Sequence, residues 1–108
     1  ERARRAVDVF CYRLRKYIGA YTAVLGNVHG LVFTGGIGEN APRIRDLACE
    51  GLSWLGYEID RAKNEKAVGV EADITGPDSR SRIFVIPTNE ELLIARDTYR
   101  AIEGIENP

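Results

Sequence analysis

An α/β fold is predicted by the alternation of amphipathic helical segments and short apolar strands along the chain. Helical periodicity opens the sequence. Two runs of strand-forming residues then follow at 31–34 and 82–86, and a helical pattern comes after each of them. With 108 residues, of which 44% are hydrophobic and 29% charged, the chain has the size and composition of one globular domain with a single core.

The charge balance argues against nucleic acid and membrane surfaces as partners. The formal net charge is −1 and the isoelectric point is about 5.9, so no net positive field attracts phosphate backbones or anionic lipid. No apolar run has the length of a membrane span. The sequence predicts a cytoplasmic protein, and because the chain lacks Met and begins at Glu1, we expect it to be a piece of a longer one.

Both cysteines are predicted to be reduced and buried. Cys11 and Cys49 stand among apolar helical residues, with no CxxC motif or Cys/His cluster nearby.

The first segment predicts a long amphipathic helix that ends at Gly26 and Asn27. Its opposite face is rich in arginine, and we interpret that face as solvated, with an anion or partner surface as the alternative. The apolar positions follow helical spacing: Ala3, Ala6, Val7, Phe10, Cys11, Leu14, Tyr17, Ile18, Tyr21, Val24 and Leu25.

A strand, a glycine turn and a second helix are predicted next. Residues 31–34 are continuously apolar up to the threonine, which is typical of a strand buried on both faces. Asn40 is predicted to cap the following helix, with Pro42 in its first turn. Gly56 is predicted to end that helix, whose apolar face comprises Ile44, Leu47, Ala48, Leu52 and Leu55.

The rest of the chain predicts an irregular region, a strand and a last helix. Residues 61–66 are compatible with a helical turn and residues 68–74 with one or two short strands. A turn at 76–79 precedes the strand at 82–86, which Pro87 ends. Thr88 and Glu91 form a capping box. The helix that it opens has an apolar face made of Leu92, Ala95, Tyr99 and Ile102.

The glycine-rich stretch at 34–40 is the strongest candidate for a binding site. Three glycines in four positions between a strand and a helix let a ligand approach backbone amides closely, and a helix N-terminus favours phosphate. A tight packing turn is the plain alternative. The stretch also fits a dinucleotide-binding pattern through Gly36, Gly38 and Ala41, with Glu58 or Asp60 for the ribose. It lacks the Gly-Lys-Ser/Thr ending of a Walker loop.

Glu90, in the first turn of the last helix, is a candidate magnesium ligand, although residue type alone favours helix capping there. Glu91 is committed to the capping box. His29 is interpreted as structural or incidental, and Trp54 as a possible contact with another subunit.

Two ordered motifs resemble the C-terminal region of the acetate kinase family and its short-chain acyl kinase relatives. They are Val-Phe-Thr-Gly-Gly-Ile-Gly-Glu-Asn at 32–40 and Ile-Pro-Thr-Asn-Glu-Glu-Leu at 86–92. The resemblance implies the actin-like ATPase fold, with its ribonuclease-H-like domain, that acetate and sugar kinases share with heat-shock chaperones and actin. It also implies reversible phosphorylation of acetate by Mg-ATP to acetyl phosphate, and a cytoplasmic homodimer.

Matched residue by residue, the resemblance implies that the nucleotide is bordered by Gly36, Ile37, Gly38, Glu39 and Asn40, and that Glu90 is associated with Mg²⁺. It assigns no catalytic residue to this chain. His29 stands where the family usually has Asp. Residues 1–108 are expected to be an incomplete portion of a single C-terminal nucleotide-binding domain, inactive alone because the N-terminal domain is absent. The alternatives are a propionate or butyrate kinase fragment, a dinucleotide-binding module, and a non-catalytic dimerisation piece.

Overall fold

A computed structural model describes residues 1–88 and 98–102. It has the mixed α/β character that the sequence predicts, and residues 98–102 are helical. The helices and strands in chain order are α1 (Arg2–Leu25), β1 (Gly30–Phe33), α2 (Gly35–Asn40), α3 (Pro42–Cys49), a 3-10 turn (Ser53–Leu55), α4 (Arg61–Lys66), β2 (Ala72–Asp73) and β3 (Arg82–Val85).

The three strands form one sheet in the order β1-β3-β2. β1 and β3 are parallel, with Phe33 opposite Val85, whereas β2 runs antiparallel to β3. One further hydrogen bond, from the Ile86 amide to the Phe33 carbonyl (3.0 Å), continues the pairing past the end of β3. The chain therefore leaves β1 and β3 at the same edge of the sheet.

The core lies on one face of this sheet. Alternate residues of β1 and β3 point into it, and α3 and the segment that follows it cover them. α1 packs on α3, where the Arg15 guanidinium donates to the Leu47 carbonyl at 3.1 Å. The buried cluster comprises Phe33, Ala48, Cys49, Leu52, Tyr57, Ala67, Ile74, Ile83 and Val85.

α1 has the predicted length, and Gly26 ends it with a φ of 77°, in the region that favours glycine. Its predicted apolar stripe divides in two. Cys11 is buried, and Leu14 and Ile18 pack against the core. Tyr17 and Tyr21 instead lie exposed, with their rings stacked at a centroid distance of 6.5 Å. Helical spacing alone does not distinguish the packed residues from the exposed tyrosines, because the apolar stripe is wider than the part of the helix that contacts the core.

The prediction that the first strand is buried on both faces is wrong for the described residues. Phe33 is buried, but Val32, which points to the other face, is 47% exposed. The described helices cover only the face that carries Phe33. The helix after the glycine stretch is also shorter than predicted: α3 ends at Cys49, and the chain turns through Gly51 with a φ of 77°.

The predicted helical turn at 61–66 is confirmed as α4, whereas only two residues of the 68–74 segment form a strand. The turn at 76–79 is confirmed by a hydrogen bond from the Ser79 amide to the Gly76 carbonyl (3.2 Å). Gly76 is required there because a Cβ would lie 2.9 Å from the Glu58 carbonyl oxygen.

Both cysteines are free and buried, as predicted. Burial, with a smaller contribution from Asp46, raises the pKa of Cys49 to about 12. Among the described helices none is both long enough and apolar enough to cross a membrane. Of the predicted last helix, Tyr99 and Ile102 are exposed, whereas Glu91, Leu92 and Ala95 lie outside the described residues.

Candidate functional site at the carboxyl edge of the sheet

The two motifs singled out in the sequence meet at one edge of the sheet. The first follows β1, and the described start of the second, residues 86–88, follows β3; these strands are parallel neighbours. A direct contact joins the motifs: the Glu39 carboxylate accepts a hydrogen bond from the backbone amide of Thr88 at 3.1 Å. Ligands of open α/β sheets commonly bind at this carboxyl edge.

The glycine-rich stretch is itself a short helix, α2, rather than an open turn. Thr34 precedes it in an extended conformation, and Gly35 opens it with a φ of 77°, which a residue with a side chain rarely adopts. The prediction that Asn40 caps the next helix is wrong. Its side-chain amide donates back to the Gly36 carbonyl at 3.0 Å, within α2, and Ala41 takes the capping position of α3.

The five predicted nucleotide-binding residues come together on α2 but differ in their surroundings. A Cβ placed on Gly36 would have no atom within 4 Å, and the Ile37 side chain is 54% exposed. Gly38 lies against β1, where a Cβ would be 3.4 Å from the Phe33 carbonyl carbon. Glu39 and Asn40 make the contacts described above. Gly36, Ile37 and Asn40 are therefore exposed, whereas Gly38 and Glu39 connect α2 to the rest of the chain.

An apolar groove of about 540 Å³ lies beside α2, between it, α1 and β1. The glycines at 35, 36 and 38 line one side of this groove, and aliphatic and aromatic side chains line the rest. The non-glycine lining residues are Phe10, Leu14, Ile18, Leu31, Val32, Phe33, Thr34, Ile37 and Ile44.

Arg45, on α3, is the residue that the sequence reasoning missed. It is fully buried, with 0% of its surface exposed. Its Nη1 donates to the Gly38 carbonyl at 2.8 Å, and its Nε donates to Asn64 Oδ1 at 2.6 Å. Its Nη2 donates to the carbonyls of Asn64 at 2.8 Å and Ala67 at 2.6 Å. Burial lowers the pKa of Arg45 from its ordinary value.

The arrangement around Arg45 satisfies a buried cation with neutral oxygens. The Asn64 amide completes it by donating to the Pro42 carbonyl at 2.9 Å. Hydrogen bonds to a charged group contribute about 1.5–3 kcal/mol each, and leaving a buried donor unpaired costs a similar amount. Arg45 thus ties α3 to α2 through Gly38 and to α4 through Asn64 and Ala67, and Asn64 in turn contacts the start of α3 at Pro42.

A signal for this burial exists in the sequence. Arg45 is spaced three, four and seven residues before Ala48, Cys49 and Leu52, all of which are buried. A residue at that spacing shares the buried face of the helix. The apolar face that the sequence predicts includes Ile44 and Leu47. The face that actually packs against the core is shifted by one residue along the chain and includes Arg45 and Ala48.

The remaining candidates do not join this cluster within the described residues. Glu90 lies outside them. The described residues contain no group of three or more His, Cys, Asp or Glu side chains suited to a metal. His29 is exposed and its carbonyl accepts a bond from the Arg82 amide at 2.9 Å. Trp54 is 74% exposed, and its contact with another subunit stays a prediction.

The dinucleotide-binding alternative is not supported by these positions. It requires Glu58 or Asp60 at the end of a strand beside β1, but the strand beside β1 is β3. Asp60 instead caps α4, where its carboxylate accepts a hydrogen bond from the Lys63 amide at 3.1 Å.

Comparison with known proteins identifies relatives across almost the whole chain. The sequence profile described as the acetokinase family matches residues 1–96. An acetate kinase from Solibacter usitatus is 54% identical over 107 residues, which are 99% of this chain and 26% of that protein. The chain therefore spans about a quarter of the length of such relatives.

Solved structures agree with the sequence comparison. The acetate kinase of Porphyromonas gingivalis superposes with a TM-score of 0.83 at 42% identity, over 94% of this chain and 26% of that one. A propionate kinase from Francisella tularensis gives a TM-score of 0.74 at 41% identity, over 86% of this chain and 23% of its own.

Proposed function

The chain belongs to the acetokinase family, with the actin-like ATPase fold of its structural neighbours, and from that premise we propose that it supplies part of the ATP site of an acetate kinase. The reaction is the reversible transfer of a phosphoryl group from ATP to acetate, giving acetyl phosphate and ADP. The observation that carries this proposal is the convergence of the two motifs, joined by the hydrogen bond from the Thr88 amide to the Glu39 carboxylate.

In this proposal the chain positions the nucleotide. A carboxylate oxygen of acetate forms a bond to the γ-phosphorus as the bond from that phosphorus to the bridging oxygen of ADP breaks. Catalysis of such a transfer depends mainly on alignment and on neutralising charge. Gly36, Ile37 and Asn40 offer an exposed surface, and Gly38 and Glu39 hold that surface at the carboxyl edge of the sheet.

Glu90, which lies outside the described part of the chain, is the residue that we propose to be associated with Mg²⁺. The Glu39 carboxylate already accepts a hydrogen bond from Thr88, and the described residues do not build a metal site of their own. When bound to ATP, Mg²⁺ would supply charge neutralisation at the phosphates. Replacing Glu90 with Gln in the whole enzyme should raise the Mg²⁺ concentration needed for half-maximal activity.

The structural neighbours differ in the acyl acceptor for which they are named, because one of them is a propionate kinase. We propose acetate, since relatives that cover 99% and 96% of the chain are named as acetate kinases. The test is the initial rate of the whole enzyme with acetate, propionate and butyrate at saturating Mg-ATP. A higher kcat/KM with propionate or butyrate than with acetate would show that the longer acid is the preferred substrate.

Arg45, which donates to the Gly38 carbonyl of α2, is fully buried and so does not reach a transferring phosphoryl group. We therefore expect this chain alone to produce no acetyl phosphate. Amide NMR of the chain, titrated with Mg-ATP and then with NAD, tests whether it binds nucleotide. Shifts at residues 35–40 with Mg-ATP but not with NAD would support the proposal, whereas shifts with NAD alone would favour the dinucleotide alternative.

We also propose that the whole enzyme is a cytoplasmic homodimer. The exposed aromatic surface of α1, with Tyr17 and Tyr21, and the exposed Trp54 support a contact between subunits, because aromatic residues are enriched in the buried cores of interfaces. Sedimentation of the whole enzyme should give twice the mass of one chain. A monomer over the micromolar range would contradict this part of the proposal.

A further inference from the structure

We propose that Arg45 is a positioning residue for ATP, acting through the carbonyl of Gly38 on α2. This inference rests on the proposed function, because it assumes that the nucleotide binds against α2. Arg45 has no exposed surface. It therefore contributes by fixing the segment that the ligand touches rather than by touching the ligand.

α2 needs support from residues outside itself. Three of its six residues are glycine, and glycine costs about 1 kcal/mol relative to alanine in a helix interior. A helix of two turns is also too short to be stable alone. Three hydrogen bonds from elsewhere in the chain fix its second half: from Arg45 to the Gly38 carbonyl (2.8 Å), from the Gly69 amide to the Glu39 carbonyl (2.9 Å), and from the Thr88 amide to the Glu39 side chain (3.1 Å).

Of the three donors in these bonds, the Arg45 guanidinium is the one held most rigidly in place. The guanidinium is planar, and its other N–H groups donate to Asn64 Oδ1, the Asn64 carbonyl and the Ala67 carbonyl. Asn64 is itself fully buried and bonded to the Pro42 carbonyl. A displacement of Arg45 therefore requires several buried bonds to break together, and Gly38 is held at a fixed distance from α3 and α4.

The positive charge of Arg45 also bears on ligand binding. No carboxylate of the described residues forms an ion pair with Arg45, and its partners are neutral carbonyl and amide oxygens. Asp46 interacts with Arg45 electrostatically without forming an ion pair, and this cation beneath α2 also favours an anionic ligand on that segment, since a field in a low-dielectric interior is weakly screened. Geometry and charge then act in the same direction.

The test compares substitutions in the whole enzyme. Arg45→Lys keeps the charge but cannot reproduce the planar fork, and Asn64→Ala removes the acceptor that orients Nε. Each should raise KM for Mg-ATP, Arg45→Lys by about tenfold, which corresponds to about 1.4 kcal/mol. KM for acetate should stay within about twofold. The matched control is Arg43→Lys, because Arg43 lies exposed on the same helix.

A merely structural role predicts a different pattern. The variants would then unfold at lower temperature and give less active enzyme, but the folded fraction would show an unchanged KM for Mg-ATP. That result for both Arg45→Lys and Asn64→Ala would overturn the inference. If Arg45→Lys does not fold, the KM of Asn64→Ala tests the inference alone. That variant retains the bond from Arg45 to Gly38 but removes one of the bonds that hold the guanidinium in place.

Gly36→Ala, which alters the accessible surface of α2 itself, separates this inference from the proposed function. If Gly36→Ala raises KM for Mg-ATP and the Arg45 and Asn64 variants do not, ATP binds at α2 and only the positioning role of Arg45 is refuted. If Gly36→Ala also has no effect, the nucleotide does not bind against α2, and the proposed site fails together with the inference.

Discussion

Gly36→Ala separates the stability of α2 from its proposed contact with ATP. The substitution adds one methyl group at a position where the structure has no atom within 4 Å. Gly36 has no positive φ, so alanine fits its backbone. Because alanine is favoured over glycine in helices by up to about 1 kcal/mol, the variant should be as stable as the parent or more stable.

The effect on ATP should have the opposite sign. If a nucleotide packs against the Gly36 backbone, the methyl group occupies space that the ligand needs. Forcing one extra methyl into a well-packed contact costs about 1–3 kcal/mol, which corresponds to an increase in KM for Mg-ATP of about 5- to 150-fold. The assay is the initial rate of the whole enzyme at varied Mg-ATP, with thermal unfolding measured on the same preparation.

Gly19→Ala provides the matched control. Gly19 lies within α1, also has no atom within 4 Å of an added Cβ, and does not line the groove beside α2. It should show the same gain in stability and no change in KM for Mg-ATP. An unchanged KM in Gly36→Ala would refute close approach of the nucleotide. A lowered unfolding temperature in Gly36→Ala would refute the reasoning about the open space around this residue.

Two further predictions concern pH. Because burial raises the pKa of Cys49 to about 12, the folded state keeps a proton that the unfolded state loses above about pH 9. The free energy of unfolding should therefore decrease from about pH 9 upward, and Cys49→Ala should lose that part of the slope; an identical slope in Cys49→Ala would contradict it. The pKa of Asp73 is lowered by hydrogen bonds from the Thr75 hydroxyl and amide and then by Arg82. Its stabilisation is present above the unfolded-state pKa of about 3.9 and is lost as the pH falls through the lower folded-state value. Acid unfolding of Asp73→Asn should show a weaker dependence on pH in this range, and equal profiles would exclude the carboxylate as a contributor.

The elements that sequence reasoning predicted correctly are those whose local pattern and tertiary environment agree. α1 has helical spacing over 24 residues and a terminal glycine, and the β3 segment is a run of strand formers that ends before Pro87. The turn at 76–79 follows from its own residue types. In each case the backbone preference and the packing favour the same conformation.

α2 was missed because the intrinsic helix preference of its residues does not account for it. Glycine disfavours a helix, so the stretch at 34–40 predicts an open turn. Side-chain and backbone bonds from Asn40, Arg45, Gly69 and Thr88 override that preference. The contacts from Gly69 and Thr88 come from distant positions in the sequence, which a pattern within the stretch cannot reveal.

Arg43 and Arg45 show a second limit. They are separated by one residue and have the same side chain, yet Arg43 is exposed and Arg45 is completely buried. Residue type assigns both to a solvated face. Only the helical spacing to Ala48, Cys49 and Leu52 distinguishes them, and the buried oxygens that make Arg45 tolerable come from α2 and α4.

The parallel pairing of β1 with β3 has a consequence for how the chain folds. Gly30 pairs with Arg82, so a loop of about fifty residues must close before the two strands meet, and closing a long loop costs entropy before any contact repays it. The bond between Glu39 and the Thr88 amide lies at the far end of the same pairing. A folding intermediate that contains only α1 and its neighbour α3 would therefore lack the binding edge altogether. Acquisition of that edge should coincide with the slow, rate-limiting step of folding, so that nucleotide affinity reports complete folding rather than partial structure.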